Sequence, residues 1–378
     1  MSDHLVTIAA GAHYRRCCPL EFVLPAPVSS ESLELLGEEG ERIPLQHVKH
    51  GAVRGVLPEL PEGQSRTYRV TQSEQKVSEP IITMSDREGG IDVLLHGDLL
   101  TRYFYSDVPA RPYFYPVNGP GGVPVTRSYP MSEDVPGETH DHPHHRSLWI
   151  AHGDVNGADN WSESDGHART VHEAITELSG GPVFGSFSTH GLWKLPDNTP
   201  LLMQRLKVTA WATTDEYRIL DFAIDLDSDF GAVHFGDTKE GGILSVRVAS
   251  ELDVVRTGRI TNVYGGVDEN ETWGKASHWC DYSGTVGGSA IGIAVMDHPH
   301  SERYPTHWHV RNYGLMTANP FGYAAYTKGI RDGSYTLSSG KSLSFRYRVV
   351  LHRGSCAEAQ INSRYLDFVS PPRVTITN

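Results

Sequence analysis

Apolar and polar residues alternate in short runs along most of this chain, the period expected of strands with two unlike faces. The run Leu343 to Leu351 alternates most clearly, with Phe345, Tyr347 and Val349 set against Ser344, Arg346 and Arg348. Ile91 to His96, Leu206 to Trp211 and Ile219 to Leu226 read as further strands, and Ile291 to Met296 is an apolar run that ends at a polar cluster. Earlier in the chain, Leu5 to Ile8, Leu20 to Leu24 and Thr67 to Val70 are strand-like, punctuated by Pro25, Pro27, Pro58, Pro61 and Gly63. Helical spacing shows only between Ala357 and Val369, where Ala357, Ile361, Tyr365, Leu366 and Val369 recur on one face. The expected fold is therefore mostly β. A small β-sandwich-like module over residues 1–80 precedes a large antiparallel β domain over 81–378 that carries a C-terminal helix. A Ser/Glu stretch from Ser73 to Ser78 marks the expected boundary.

Length and composition agree with this pattern. The 378 residues suit two domains, or one large β domain with an appendage, and 38 Gly with 23 Pro fit many tight turns. A net charge of −13 with no basic stripe repels phosphate backbones, so no nucleic-acid partner is expected. The four cysteines, Cys17, Cys18, Cys280 and Cys356, show no framework or zinc-finger spacing and read as reduced thiols. The N-terminus lacks a signal-peptide apolar core, and no apolar run approaches the roughly 20 residues of a membrane span. The expectation is a cytoplasmic protein with no membrane partner; homo-oligomerisation is left open.

Candidate chemistry gathers in two windows. Five histidines fall between 140 and 152 (His140, His142, His144, His145, His152) and four between 298 and 309 (His298, His300, His307, His309), so two short stretches hold nine of the 20. Composition alone would place roughly one there. Imidazole titrates near neutrality, donates, accepts and binds metal, so this density points to one histidine-rich polar pocket. If residues 140–144 were an extended strand, His140 and His142 would share a face about 6.6 Å apart and could hold one divalent metal ion. A further ligand would come from Asp141, Asp297, His307 or His309.

Two other stretches flank the windows. His152 to Trp161 is rich in Gly, Asn and Asp and ends in tryptophan. It reads either as a plain turn or as ring faces and hydrogen-bonding groups for a carbohydrate. Lys239-Glu240-Gly241-Gly242 reads either as an exposed hairpin turn or as an acid/base pair set in a pocket.

Several segments together resemble the bacterial PmoA-like family: 111–117, 137–149 with 152–156, Asp237 to Gly242, 308–314 and Ala318 to Gly322. The resemblance spans roughly residues 85–355 and implies a galactose mutarotase-like β-supersandwich, a fold widely used on sugars. The methane oxygenase in the family's name is not expected, since nothing here can span a bilayer as a helix. By analogy, His145, His309, Lys239 and Glu240 would move protons. Arg146, Trp149, Asp154, Asn156, Arg311 and Asn319, with His144, His152, Trp161 and His307, would hold hydroxyls or a ring face. The expected function is a sugar-catabolism enzyme acting on a small carbohydrate or oxidised glycoside by elimination, hydration, epimerisation or hydrolysis. The rivals are a metal-dependent lyase or hydrolase using His140 and His142, and a non-catalytic carbohydrate-binding protein.

Overall fold

The structure, a computed structural model, describes residues 4–25, 32–48, 51–73 and 80–377. Most of the expected boundary stretch Ser73 to Ser78, and Pro27, lie outside these residues. The architecture is mostly β, as the alternation predicts. Among the described residues three antiparallel sheets, of seven, eleven and eight strands, account for it.

The seven-stranded sheet contains the first six strands, from Leu5–Ala9 to Ser65–Gln72. Its seventh comes from the other end of the chain, where Arg373–Thr377 pairs with Leu5–Ala9. The two large sheets pack face to face. Apolar residues of the later runs point into the layer between them, among them Leu206, Val208, Phe222, Ile224, Ile293, Phe345 and Val349, whereas those of the first three runs form a separate core. Burial of that shared face drives the sandwich.

The expected helix is present but shorter, Ile361–Val369. Gln360 stands in the left-handed region (φ 51°), and so the helix begins there and not at Ala357. The helix is clamped to the N-terminal sheet by ion pairs. Asp367, almost fully buried, takes Arg15 Nη1 at 3.1 Å, His13 Nε2 at 3.0 Å and Arg364 Nη2 at 3.1 Å. No helix among the described residues is long and apolar enough to cross a membrane.

Candidate functional site

The site lies on the outer face of the eleven-stranded sheet. Strand Leu148–Val155 sends Leu148 and Ile150 into the core, so Trp149 and Ala151 face outward. Strand His307–Arg311 buries Trp308 and Val310 inward and turns His307, His309 and Arg311 out. Register then lines up one row across neighbouring strands: His309 opposite Thr317, Thr317 opposite Ser245, Ser245 opposite Trp149, and Trp149 opposite Tyr113.

The run His140 to Arg146 is a loop and not a strand, which corrects the face-sharing expected for its histidines. His142 adopts a positive φ of 43°, and His145 N donates to His142 O at 2.9 Å, closing a turn through Pro143. The turn stacks the rings of His142 and His145 (centroids 4.7 Å apart, 4° between planes) and sets His144 edge-on to His145. Tyr313 stacks on the other side of His142, and Trp149 on His145, while Trp161 meets His144 and His145 edge-on. His140 leaves this group and stacks on Tyr129 at 4.4 Å. His142 Nδ1 is taken by Asp141 at 2.9 Å. Among the described residues no three His, Cys, Asp or Glu side chains converge as metal ligands, so His140 and His142 have no third donor. Asp297 ends a strand of the eight-stranded sheet, buried and accepting from Thr306 N at 2.8 Å; burial pushes its carboxyl up to about 7.

Two buried arginines hold the loop. Arg127 donates to the carbonyls of Tyr129, Thr139 and His142 and pairs with Asp141. Arg247 donates to Asp141 at 2.7 Å and directs Nη1 to His145 Nδ1 at 3.2 Å. A guanidinium can only donate, so His145 Nδ1 accepts and its proton sits on Nε2. His309 has the opposite arrangement. Its Nδ1 lies 2.7 Å from the Lys239 carbonyl, which can only accept, so Nδ1 carries the proton and Nε2 is bare. That Nε2 is buried without a partner.

Glu240 interacts electrostatically with both His144 and His309. Burial pushes its carboxyl up, but the hydrogen bond from Lys239 and the positive charge of that side chain outweigh this and hold it below the usual value. Burial lowers His144 and His309 to about 4 and His145 well below the ordinary imidazole value, so all three rings are neutral at pH 7.

Several other expected site residues serve the scaffold. Asn319 donates to the Thr238 and Lys239 carbonyls at 2.9 and 3.2 Å and accepts from Phe321 N, which holds the Lys239–Glu240 loop and leaves its amide fully engaged. His152 is wholly buried, bonded to Gly236 O at 2.9 Å and packed on Phe235 and Phe321. Asp154 and Asn156 form the hairpin turn, accepting from Gly157 N and His234 N. Arg146 is paired through two 2.7 Å bonds with Glu163, and Arg311 with Glu269 at 2.9 Å. The second histidine window divides. His307 and His309 join the site, whereas His298 packs against Phe368 of the C-terminal helix, with His300 beside it. Gly241 and Gly242 are there for space, since an added Cβ would come within 2.5 Å of His152 Nδ1 or 2.4 Å of Ser245 Oγ.

Sequence reasoning did not single out Arg127, Arg247, Tyr313, Trp273 or Tyr326. Trp273 meets His309 edge-on, and Tyr326 stacks on His307. One signal was available: Arg247 ends a mostly apolar strand, Gly241–Arg247, buried along its whole length, where a charge needs a buried partner.

The sequence model of the family DUF6807, described as a family of unknown function, matches residues 90–365. The chain belongs to this family. Every candidate residue named above from His140 to Asn319 falls inside the DUF6807 stretch; the first six strands of the N-terminal sheet lie before it and the seventh, Arg373–Thr377, after it. Among curated proteins none matches the chain. Similar solved structures include galactose 1-epimerase from Lactobacillus acidophilus, at 8% identity and TM-score 0.32 over 73% of this chain and 99% of that one. They also include a GalM/aldose epimerase homologue from C. elegans, at 10% identity and TM-score 0.28 over 73% of this chain and all of that one. No comparison bears on the narrower PmoA-like resemblance; the match is to DUF6807.

Proposed function

We propose that this DUF6807 protein acts on a small sugar or oxidised glycoside by acid–base proton transfer. The observation that carries the reading is the opposed tautomers of two neutral histidines on one sheet face. His309 offers a bare Nε2 beside Glu240, and His145 offers Nε2–H beside Trp149. A base must be unprotonated at working pH, and burial keeps His309 so.

In the proposed step His309 Nε2 takes the proton from a carbon next to a carbonyl, and the bonding pair moves onto the carbonyl oxygen. His145 Nε2–H supports that oxygen as charge develops, and Glu240 stabilises the imidazolium formed on His309. Tyr313, half-buried, supplies ring surface of the kind sugars stack on, whereas Trp149 and Trp161 are wholly buried and support the histidine rings. The mutarotase-like chemistry implied by the motif resemblance is of the same acid–base type.

The test is deuterium incorporation from D2O into a panel of aldoses and keto-glycosides, followed by proton NMR. Wild-type protein should exchange the hydrogen next to the carbonyl of at least one compound. His309→Ala should slow that exchange by about 10²–10⁴-fold. Unchanged exchange in both His145→Ala and His309→Ala would remove these residues from the reaction.

A further inference from the structure

We propose that a cleft beside the histidine site binds a second, neutral sugar unit, so that the preferred ligand is a disaccharide or larger glycoside. The sugar class rests on the reading above; the cleft rests on its own geometry. It lies between the loop of residues 105–110 and the edge strand Arg169–Ser179, with a volume of about 380 Å³, in the range of ligand sites.

Aromatic surface and hydrogen-bonding groups meet there. The rings of Tyr105 and His172 lie 4.1 Å apart at 32°, and Tyr105 is fixed by its hydroxyl donating to Asp86 Oδ1 at 2.6 Å. The strand slips register between His172 and Ala174, a bulge of the kind that re-aims a side chain at a site. Thr170 is only 4% exposed, yet its hydroxyl has no partner, and neither has His172 Nδ1. Two buried polar groups left unpaired at a cleft are groups that a ligand's hydroxyls would satisfy. Burial lowers the His172 pKa, so its ring is neutral and can both donate and accept. One carboxylate, Asp107, and one guanidinium, Arg169, line the cleft, so their charges cancel. That balance suits a neutral polyol over an ion.

The same loop packs against the histidine site. Thr170 N donates to Ala110 O at 2.8 Å, and the next residue, Arg111, directs Nη2 to Ser162 O beside Trp161. Val108 packs against the cluster of Tyr113, Trp149 and Trp161. A glycoside with one ring at the histidines therefore has this cleft as its neighbour.

The experiment is isothermal titration of the full chain with maltose, cellobiose and lactose against glucose and galactose. At least one disaccharide should bind about tenfold more tightly than its component sugars, the equivalent of one added ring contact. His172→Ala and Thr170→Val should each erase that advantage and leave the monosaccharide affinity unchanged. Both positions are on an edge strand, and circular dichroism would verify that the variants fold. A disaccharide advantage that survives both substitutions overturns the cleft. So does monosaccharide binding, lost in His309→Ala, with no disaccharide advantage in the wild type; that result leaves the histidine site standing. If no sugar binds the wild type, both readings fall.

Discussion

His309 is tied to Lys239 by a 2.7 Å bond from its ring Nδ1 to the main-chain carbonyl, and this bond leaves Nε2 free as a base. Asn319 donates to the same carbonyl, so the loop that carries Glu240 and the ring that Glu240 faces share one anchor. Arg247 enforces the reverse tautomer on His145. Long-range proton–nitrogen correlation spectra should show His309 protonated at Nδ1 and His145 at Nε2 at pH 7. A proton on Nε2 of His309 would contradict the base assignment directly.

Acid should destabilise the protein over an unusually high pH range. Burial lowers His144, His152, His298, His307 and His309 to about 4 from the ordinary imidazole value of 6.5. Between those values the unfolded chain holds protons that the folded chain does not, so stability falls as pH falls. Asp253 and Asp297 act the other way. Pushed up to about 6 and about 7 by burial, they bind protons in the folded chain first and add stability as pH drops. Five histidines against two acids leave a net loss. The urea midpoint should therefore decline from pH 6.5 to 4.5, and a flat or rising midpoint would show that these rings are solvated.

The strands were legible because alternation reports burial directly. Phe345, Tyr347 and Val349 lie in the core between the large sheets as their spacing requires, while Arg346 is half-buried and Arg348 is buried against Asp221. The histidine windows were legible as composition but not as geometry. A local reading set His140 beside His142, whereas the positive φ at His142 sends their rings to different neighbours. Asp154, Asn156 and Asn319 are chemically apt for gripping hydroxyls, yet each is engaged in holding backbone. Polar side chains serve scaffolds and ligands alike, and only tertiary partners distinguish the two. The pairing of Arg247 with His145 spans 102 residues, beyond the reach of any local pattern.

Gly153→Ala should damage the site from the strand behind it. Gly153 N donates to Glu240 O at 2.8 Å, and an added Cβ would stand 2.3 Å from that oxygen. The obstacle is backbone, so the loop carrying Glu240 must shift. The expected cost is about 1–3 kcal/mol in urea denaturation, with loss of the deuterium exchange described above. A variant of wild-type stability with full exchange would show that the position of this loop is not critical.

Asp367→Asn should loosen the joint between the N-terminal sheet and the C-terminal helix. The carboxylate is buried and faces two arginines, Arg15 from the N-terminal sheet and Arg364 from the helix itself. An amide of the same shape keeps the volume but removes the charge, leaving two buried guanidinium groups uncompensated. Removing one partner of a buried pair costs about 3–5 kcal/mol, because the remaining charges lose their counter-ion. Arg15 and Arg364 also donate to the carbonyls of Ala10, Ser370, Arg16 and Tyr14, which relieves part of that penalty. The loss should therefore be near the lower figure, about 3 kcal/mol, and should appear in both tryptophan fluorescence and far-UV circular dichroism as unfolding at lower urea. A loss below about 1 kcal/mol would mean that the backbone contacts alone hold the helix in place.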